Sequence, residues 1–142
     1  MVKKRTRLWL LPVMLAAAGF CYLDNCTVQT TFHTLCCANL PEAFSGLRIV
    51  QISDLHGRVF GKEHAALLDA VPAAKPDLIA LTGDLADEDT PLPSLRPLLA
   101  GLTALAPGYY VTANHEWVIS RAVRQALYGL QDSSGVIRLE ND

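Results

Sequence analysis

The chain has 142 residues, enough for one domain and short for two of ordinary size; 51% of them are apolar and 18% charged, which excludes a disordered chain. The formal charge is −2, but Lys3, Lys4, Arg5 and Arg7 all precede the first carboxylate, Asp24, and leave 8 basic against 14 acidic residues. The body is therefore acidic and lacks a basic patch suited to tracking a nucleic-acid backbone, so no nucleic-acid partner is expected.

Residues 1–24 stand apart. The basic run is followed by an uncharged apolar stretch, Leu8 to Leu23. It sits at the lower edge of the roughly 17–25 residues a spanning helix needs. Two readings stay open. One is a membrane anchor with its cationic end in the cytoplasm and the domain outside it. The other is a cleaved signal peptide, with Ala16-Ala17-Ala18 as the small-residue cleavage pattern and a secreted product. Cys21, Cys26, Cys36 and Cys37 all lie early and show no Cys-x-x-Cys spacing. They read as small apolar filler, or as a Cys26 bridge to Cys36 or Cys37 if the region is exported.

From residue 25 to 142 the chain reads as one α/β domain. Thr27 to Leu35, rich in Thr, predicts a strand. Leu40 to Gly46 is a loop, and Leu47 to Ser53 a short β-branched strand. Lys62 to Val71 predicts a helix that stops before Pro72, with His64 on its surface. Asp77 to Thr82 is a second buried strand. Ala86 to Pro93 is an acidic loop, with Asp87, Glu88 and Asp89 solvated. Ser94 caps a helix to Ala106, Gly108 to Thr112 is a third strand, Trp117 to Leu130 a helix, and Val136 to Leu139 a last strand. Strands alternating with helices predict parallel crossover units.

In such sheets functional groups collect beyond the carboxyl ends of the strands. Here three strands end in metal-ligand residue types: Asp54-Leu55-His56, Gly83-Asp84 and Asn114-His115-Glu116. Carboxylate, imidazole and amide oxygen donors suit Mn, Fe or Zn. Each residue alone has a structural reading, as a cap or turn; the three groups in order point to a site. Glu116 reads as a charge at a helix N-terminus, and His33 as a strand residue without a ligand role.

The ordered set Asp54-x-His56, Gly83-Asp84, Asn114-His115-Glu116 resembles the signature of the calcineurin-like metallophosphoesterases. Leu40 to His56 resembles a bacterial membrane-associated phosphodiesterase branch with a hydrophobic N-terminus. The resemblance implies an α-β-β-α sandwich, here incomplete and preceded by one N-terminal hydrophobic helix. It implies two divalent metal ions, with Asp54 and His56 on the first, Asp84 bridging, Asn114 on the second, and His115 protonating the leaving group. It also implies a phosphorylated small-molecule or glycolipid substrate, and placement at the bacterial cell membrane.

Two departures from the pattern matter. Ala113 stands where the family has Gly, at a cost on the order of 1 kcal/mol if that position needs positive φ. No histidine follows His115, whereas the family site uses later histidines. The chain as written is therefore expected to bind metal weakly and hydrolyse phosphoesters poorly. The alternative is a non-catalytic or relic binding domain anchored at the membrane.

Overall fold

The computed structural model describes residues 3–139, and side-chain surroundings for residues 10–21 and 27–139. The outermost residues of both expected segments, and the surroundings of the basic run and Cys26, lie outside that description. Helix α1 spans Lys3–Cys26 with Pro12 inside it. Among the described residues no helix is long and apolar enough to cross a membrane. The expected spanning anchor is not confirmed among the described residues. Cys36 and Cys37 are free thiols, so neither forms the alternative bridge.

The predicted strand at Thr27 to Leu35 does not form. That segment is irregular, and Phe32 and Leu35 stay exposed. Threonine-rich sequence favours a strand only where a neighbour accepts its hydrogen bonds and covers one face. No described strand lies beside this one. His33 is exposed in the same segment.

The other predicted strands form: β1 (Ile49–Ile52), β2 (Leu78–Leu81), β3 (Gly108–Tyr110) and β4 (Ile137–Arg138). They make one all-parallel sheet in the order β1-β2-β3-β4. Helix α2 (Ala65–Ala74) continues through Pro72, where the missing N–H falls in the last turn, and ends at Lys75 with φ 50°. Helix α3 (Arg96–Leu105) follows a 3-10 turn at Leu92–Leu95, so Ser94 lies inside the turn and does not cap. The predicted helix at Trp117–Leu130 is two helices, α4 (Asn114–Val118) and α5 (Arg121–Ser133). The break falls at Ser120, whose hydroxyl accepts from the Val123 N–H at 3.3 Å and caps α5.

Pleating sorts the sheet into two faces. Ile52, Ile79, Leu81 and Tyr110 are buried against Val71, Leu98, Leu99, Leu102, Leu127 and Leu130 of the helices. Each such leucine contributes about 1.5–3 kcal/mol relative to exposure. Ile49, Val111 and Ile137 fall on the opposite face and stay exposed. The described residues therefore form one helical layer on one sheet, an α/β half of the expected sandwich.

His64 corrects the sequence reading most sharply. It is fully buried, with φ 63°, and neither ring nitrogen has a hydrogen-bond partner. The left-handed turn at Glu63 and His64 (φ 53° and 63°) carries the ring to the interior instead of the helix surface. Burial lowers the pKa of the imidazole below 6.5, against a raising effect from the Ser94 backbone. A group with a depressed folded pKa adds proton uptake on unfolding, so stability is full above about pH 6.5 and falls as pH drops. Urea denaturation at pH 5 and pH 7.5 should show this loss. H64N, which tolerates the left-handed backbone without titrating, should remove most of the difference.

Candidate metal centre

Parallel register aligns the strand ends. Ile52 pairs with Leu81, and Leu81 with Tyr110. Asp54, Asp84 and Asn114 therefore leave the sheet two, three and four residues beyond a common level. The ladder continues into the loops. The Asp54 N–H donates to the Gly83 carbonyl (3.2 Å), His56 to Asp84 (2.9 Å) and Gly57 to Leu85 (2.9 Å).

Those loop bonds require unusual backbone. Asp54 (φ 56°), His56 (φ 49°) and Asp84 (φ 53°) all sit in the left-handed region. Non-glycine residues there are uncommon, and they persist where surrounding structure enforces them, often at functional sites. The result is a cluster: one ligand atom each from Asp54, His56 and Asp84 lies within 4.8 Å of the others. Ligands about 2.0–2.2 Å from a shared ion stand up to about 4.4 Å apart. The trio lies close to that spacing. Two carboxylates and an imidazole fit a divalent Mn, Fe or Zn ion in donor chemistry as well as in spacing. Asn114 opens α4, exposed, one residue before His115.

Asp87 joins this cluster to His115, and the solvated-loop reading of Asp87 is corrected. Its Oδ1 lies 2.9 Å from His56 Nδ1 and 3.1 Å from His115 Nδ1. The two rings meet edge to face, centroids 4.7 Å apart. The hydrogen bond to Asp87 raises the His56 pKa above 6.5; slight burial opposes it, and the charges of Asp87, Asp84 and Asp54 add to it. The Asp87 loop is itself fixed: the Asp87 N–H donates to the Thr90 hydroxyl at 2.8 Å. Gly57 makes room for that loop, since a Cβ there would fall 2.2 Å from Thr90 Oγ1. Glu88 is likewise bound, accepting from the Ser120 N–H at 2.7 Å, which lowers its pKa.

Glu116 is more than a terminal charge. It is fully buried, and its carboxylate accepts from the Leu85 N–H (3.2 Å) and the Ala113 N–H (3.0 Å). Burial alone would raise its pKa, but backbone N–H groups around Asp84, Ala113 and Leu85, with Tyr110, more than offset this and hold it below 4.5. Asp84 returns the connection, its Oδ1 accepting from the His115 N–H at 2.9 Å. Two loops are thus cross-linked by two carboxylates. Ala113 has φ −107°, extended backbone that any residue adopts, so the expected penalty for replacing glycine does not arise. The glycine requirement lies opposite it: Gly83 has φ +80°, and a Cβ there would fall 2.3 Å from the Ala113 Cβ.

The calcineurin-like phosphoesterase family model matches residues 47–140. The uncharacterized metallophosphoesterase YkuE of Bacillus subtilis is 33% identical over 100 residues, covering 67% of this chain and 35% of the relative. YkoQ of the same organism, also an uncharacterized metallophosphoesterase, is 32% identical over 99 residues, 68% of this chain and 37% of its own. A transmembrane protein with a metallophosphoesterase domain from Danio rerio is 29% identical over 112 residues, 72% of this chain and 24% of its own. The chain thus spans about a third of the length of the two Bacillus relatives.

Removing the Glu116 carboxylate would leave the buried Leu85 N–H unpaired, at about 1–3 kcal/mol, and the part-buried Ala113 N–H unpaired, at about 1 kcal/mol. E116A should therefore lose about 2–4 kcal/mol in chemical denaturation. The depressed carboxyl pKa places Glu116's stabilisation above about pH 4.5, to be lost on further acidification. E116Q should flatten that part of the pH–stability curve.

Proposed function

The chain belongs to the calcineurin-like phosphoesterase family, and from that premise we propose that it contributes to metal-dependent hydrolysis of a phosphoester bond. In this reading Asp54, His56, Asp84 and Asn114 hold divalent metal, and His115 serves the leaving group. The observation that carries it is the meeting of Asp54, His56 and Asp84 within 4.8 Å, with all three in left-handed backbone.

Divalent metal supplies Lewis-acid polarisation of the phosphoryl group and an activated water. The chain's own residues would supply part of what such a site needs. Asp54 and Asp84 would balance part of the metal charge, and the metal would offset a body whose acidity repels phosphate. Asp87 holds His56 by Nδ1 and leaves Nε2 for the metal, the usual outer-shell arrangement. The same carboxylate holds His115 by Nδ1 and leaves its Nε2 to give a proton to the departing alkoxide. The Asp84 bond to the His115 N–H fixes where that imidazole starts. The substrate class is a phosphomonoester or phosphodiester.

Calorimetric titration with Mn(II) should show binding that D54N and D84N weaken at least tenfold. H115Q should keep metal affinity and lower kcat on bis(p-nitrophenyl) phosphate by about 10²–10⁴. Metal affinity unchanged in D84N would refute the reading.

A second reading concerns placement. Helix α1 exposes Leu10, Leu11, Val13, Met14, Leu15 and Phe20, an apolar surface of the sort that membranes cover. The zebrafish relative is described as a transmembrane protein. Association of α1 with a membrane surface is the corresponding proposal. Flotation with phosphatidylglycerol vesicles should carry the chain, and L11E/L15E should leave it behind.

A further inference from the structure

His56, Asp87 and His115 make a second cluster, different in composition from the first. One ligand atom from each lies within 4.8 Å of the other two. Asp87 Oδ1 stands 2.9 Å from His56 Nδ1 and 3.1 Å from His115 Nδ1. Donor atoms held about 2.0–2.2 Å from one ion, at angles between a right angle and the tetrahedral angle, lie about 2.8–3.6 Å apart. Both spacings fall in that range.

Hydrogen bonds have similar lengths, so distance alone does not make a metal site. The further observation is that two imidazole nitrogens from separate segments aim at one oxygen, with their rings edge to face. Orienting either ring takes one carboxylate. Bringing both rings to the same oxygen also assembles a two-histidine, one-carboxylate donor set, whose three protein ligands leave further positions to water. The side chains of His56, His115 and Asp87 are 39%, 45% and 42% exposed, so a cation can reach them.

The set is held in place by its backbone. The His56 N–H donates to the Asp84 carbonyl (2.9 Å), the Asp87 N–H to the Thr90 hydroxyl (2.8 Å) and the His115 N–H to Asp84 Oδ1 (2.9 Å). Little ordering is left to oppose binding. Two carboxylates and one imidazole, as at Asp54, His56 and Asp84, suit Mn(II). Two imidazoles and one carboxylate favour Zn(II), which outranks Mn(II) at nitrogen donors.

We infer that His56, Asp87 and His115 form a Zn(II) site of their own, binding through Nδ1 of both rings and the Asp87 carboxylate. The site needs neither Asp54 nor Asp84, so it stands independently of the hydrolase reading. Where that reading holds, Zn(II) here engages His115 as a ligand and withdraws the proton donor, which makes it an inhibitory ion.

The two clusters separate by cation. The chain carries four cysteines, so C21S/C26S/C36S/C37S serves as the background and keeps thiols from taking the ion. Zn(II) affinity, read by competition with a chromophoric chelator, should fall about tenfold or more in H115Q and in D87N, since even an outer-shell partner is worth about 10–100-fold. D54N should change it by about threefold or less, the worth of one exposed charge nearby. Electron paramagnetic resonance of the Cu(II)-loaded background protein should show coupling to two imidazole nitrogens, and to one fewer in H115Q. Zn(II) affinity undiminished in H115Q and D87N, or lost in D54N, would overturn this inference. The hydrolase reading falls on a different result, Mn(II) affinity indifferent to D84N.

Discussion

The parallel pairing of β1, β2 and β3 decides where every functional side chain can be. Because Ile52, Leu81 and Tyr110 stand level across the sheet, the next few residues of three separate segments emerge at one rim. The buried leucines of α3 and α5 hold that register, since a one-residue slip would turn Ile79 and Leu81 out of the core and Leu78 and Ala80 into it. The hydrophobic core therefore determines the spacing of polar groups that make no contact with it.

Bringing the strand ends together is not sufficient, because the loops must also turn the side chains toward one another. Asp54, His56 and Asp84 do this from left-handed backbone, at a cost of order 1–3 kcal/mol each. The opposing contributions are visible. Backbone bonds extend the ladder past the strands, Glu116 ties the Leu85 turn to Ala113, and Asp84 ties back to His115. Gly83 and Gly57 permit the close approach that these bonds need. The strain and its restraint occupy the same dozen or so residues.

What the sequence disclosed follows from how local each signal is. The runs at Leu47–Ser53 and Asp77–Thr82 are short, apolar and rich in strand-forming residues, and they became neighbouring parallel strands. The residue types after them marked the rim. The Thr27–Leu35 segment misled because strand propensity counts only when a partner is present. His64 misled because helical spacing says nothing about a left-handed turn at the helix start. The break at Ser120 was hidden because apolar residues on both sides suggest one continuous helix. Asp87 looked like a purely solvent-facing acid because its partner His56 is 31 residues away, and Glu88, which is exposed as read, also accepts from Ser120, 32 residues away. Glu116 was hidden in the same way by its bond to Leu85.

The single oxygen of Asp87 that serves both His56 and His115 makes two tasks inseparable. One ring is proposed to coordinate, the other to deliver a proton, and each would be best oriented by a carboxylate of its own. On that proposal, drift in that loop would alter cation retention and bond cleavage at once. Selection cannot adjust one against the other through this residue. A lineage abandoning catalysis while keeping its ion would have to change His115 itself.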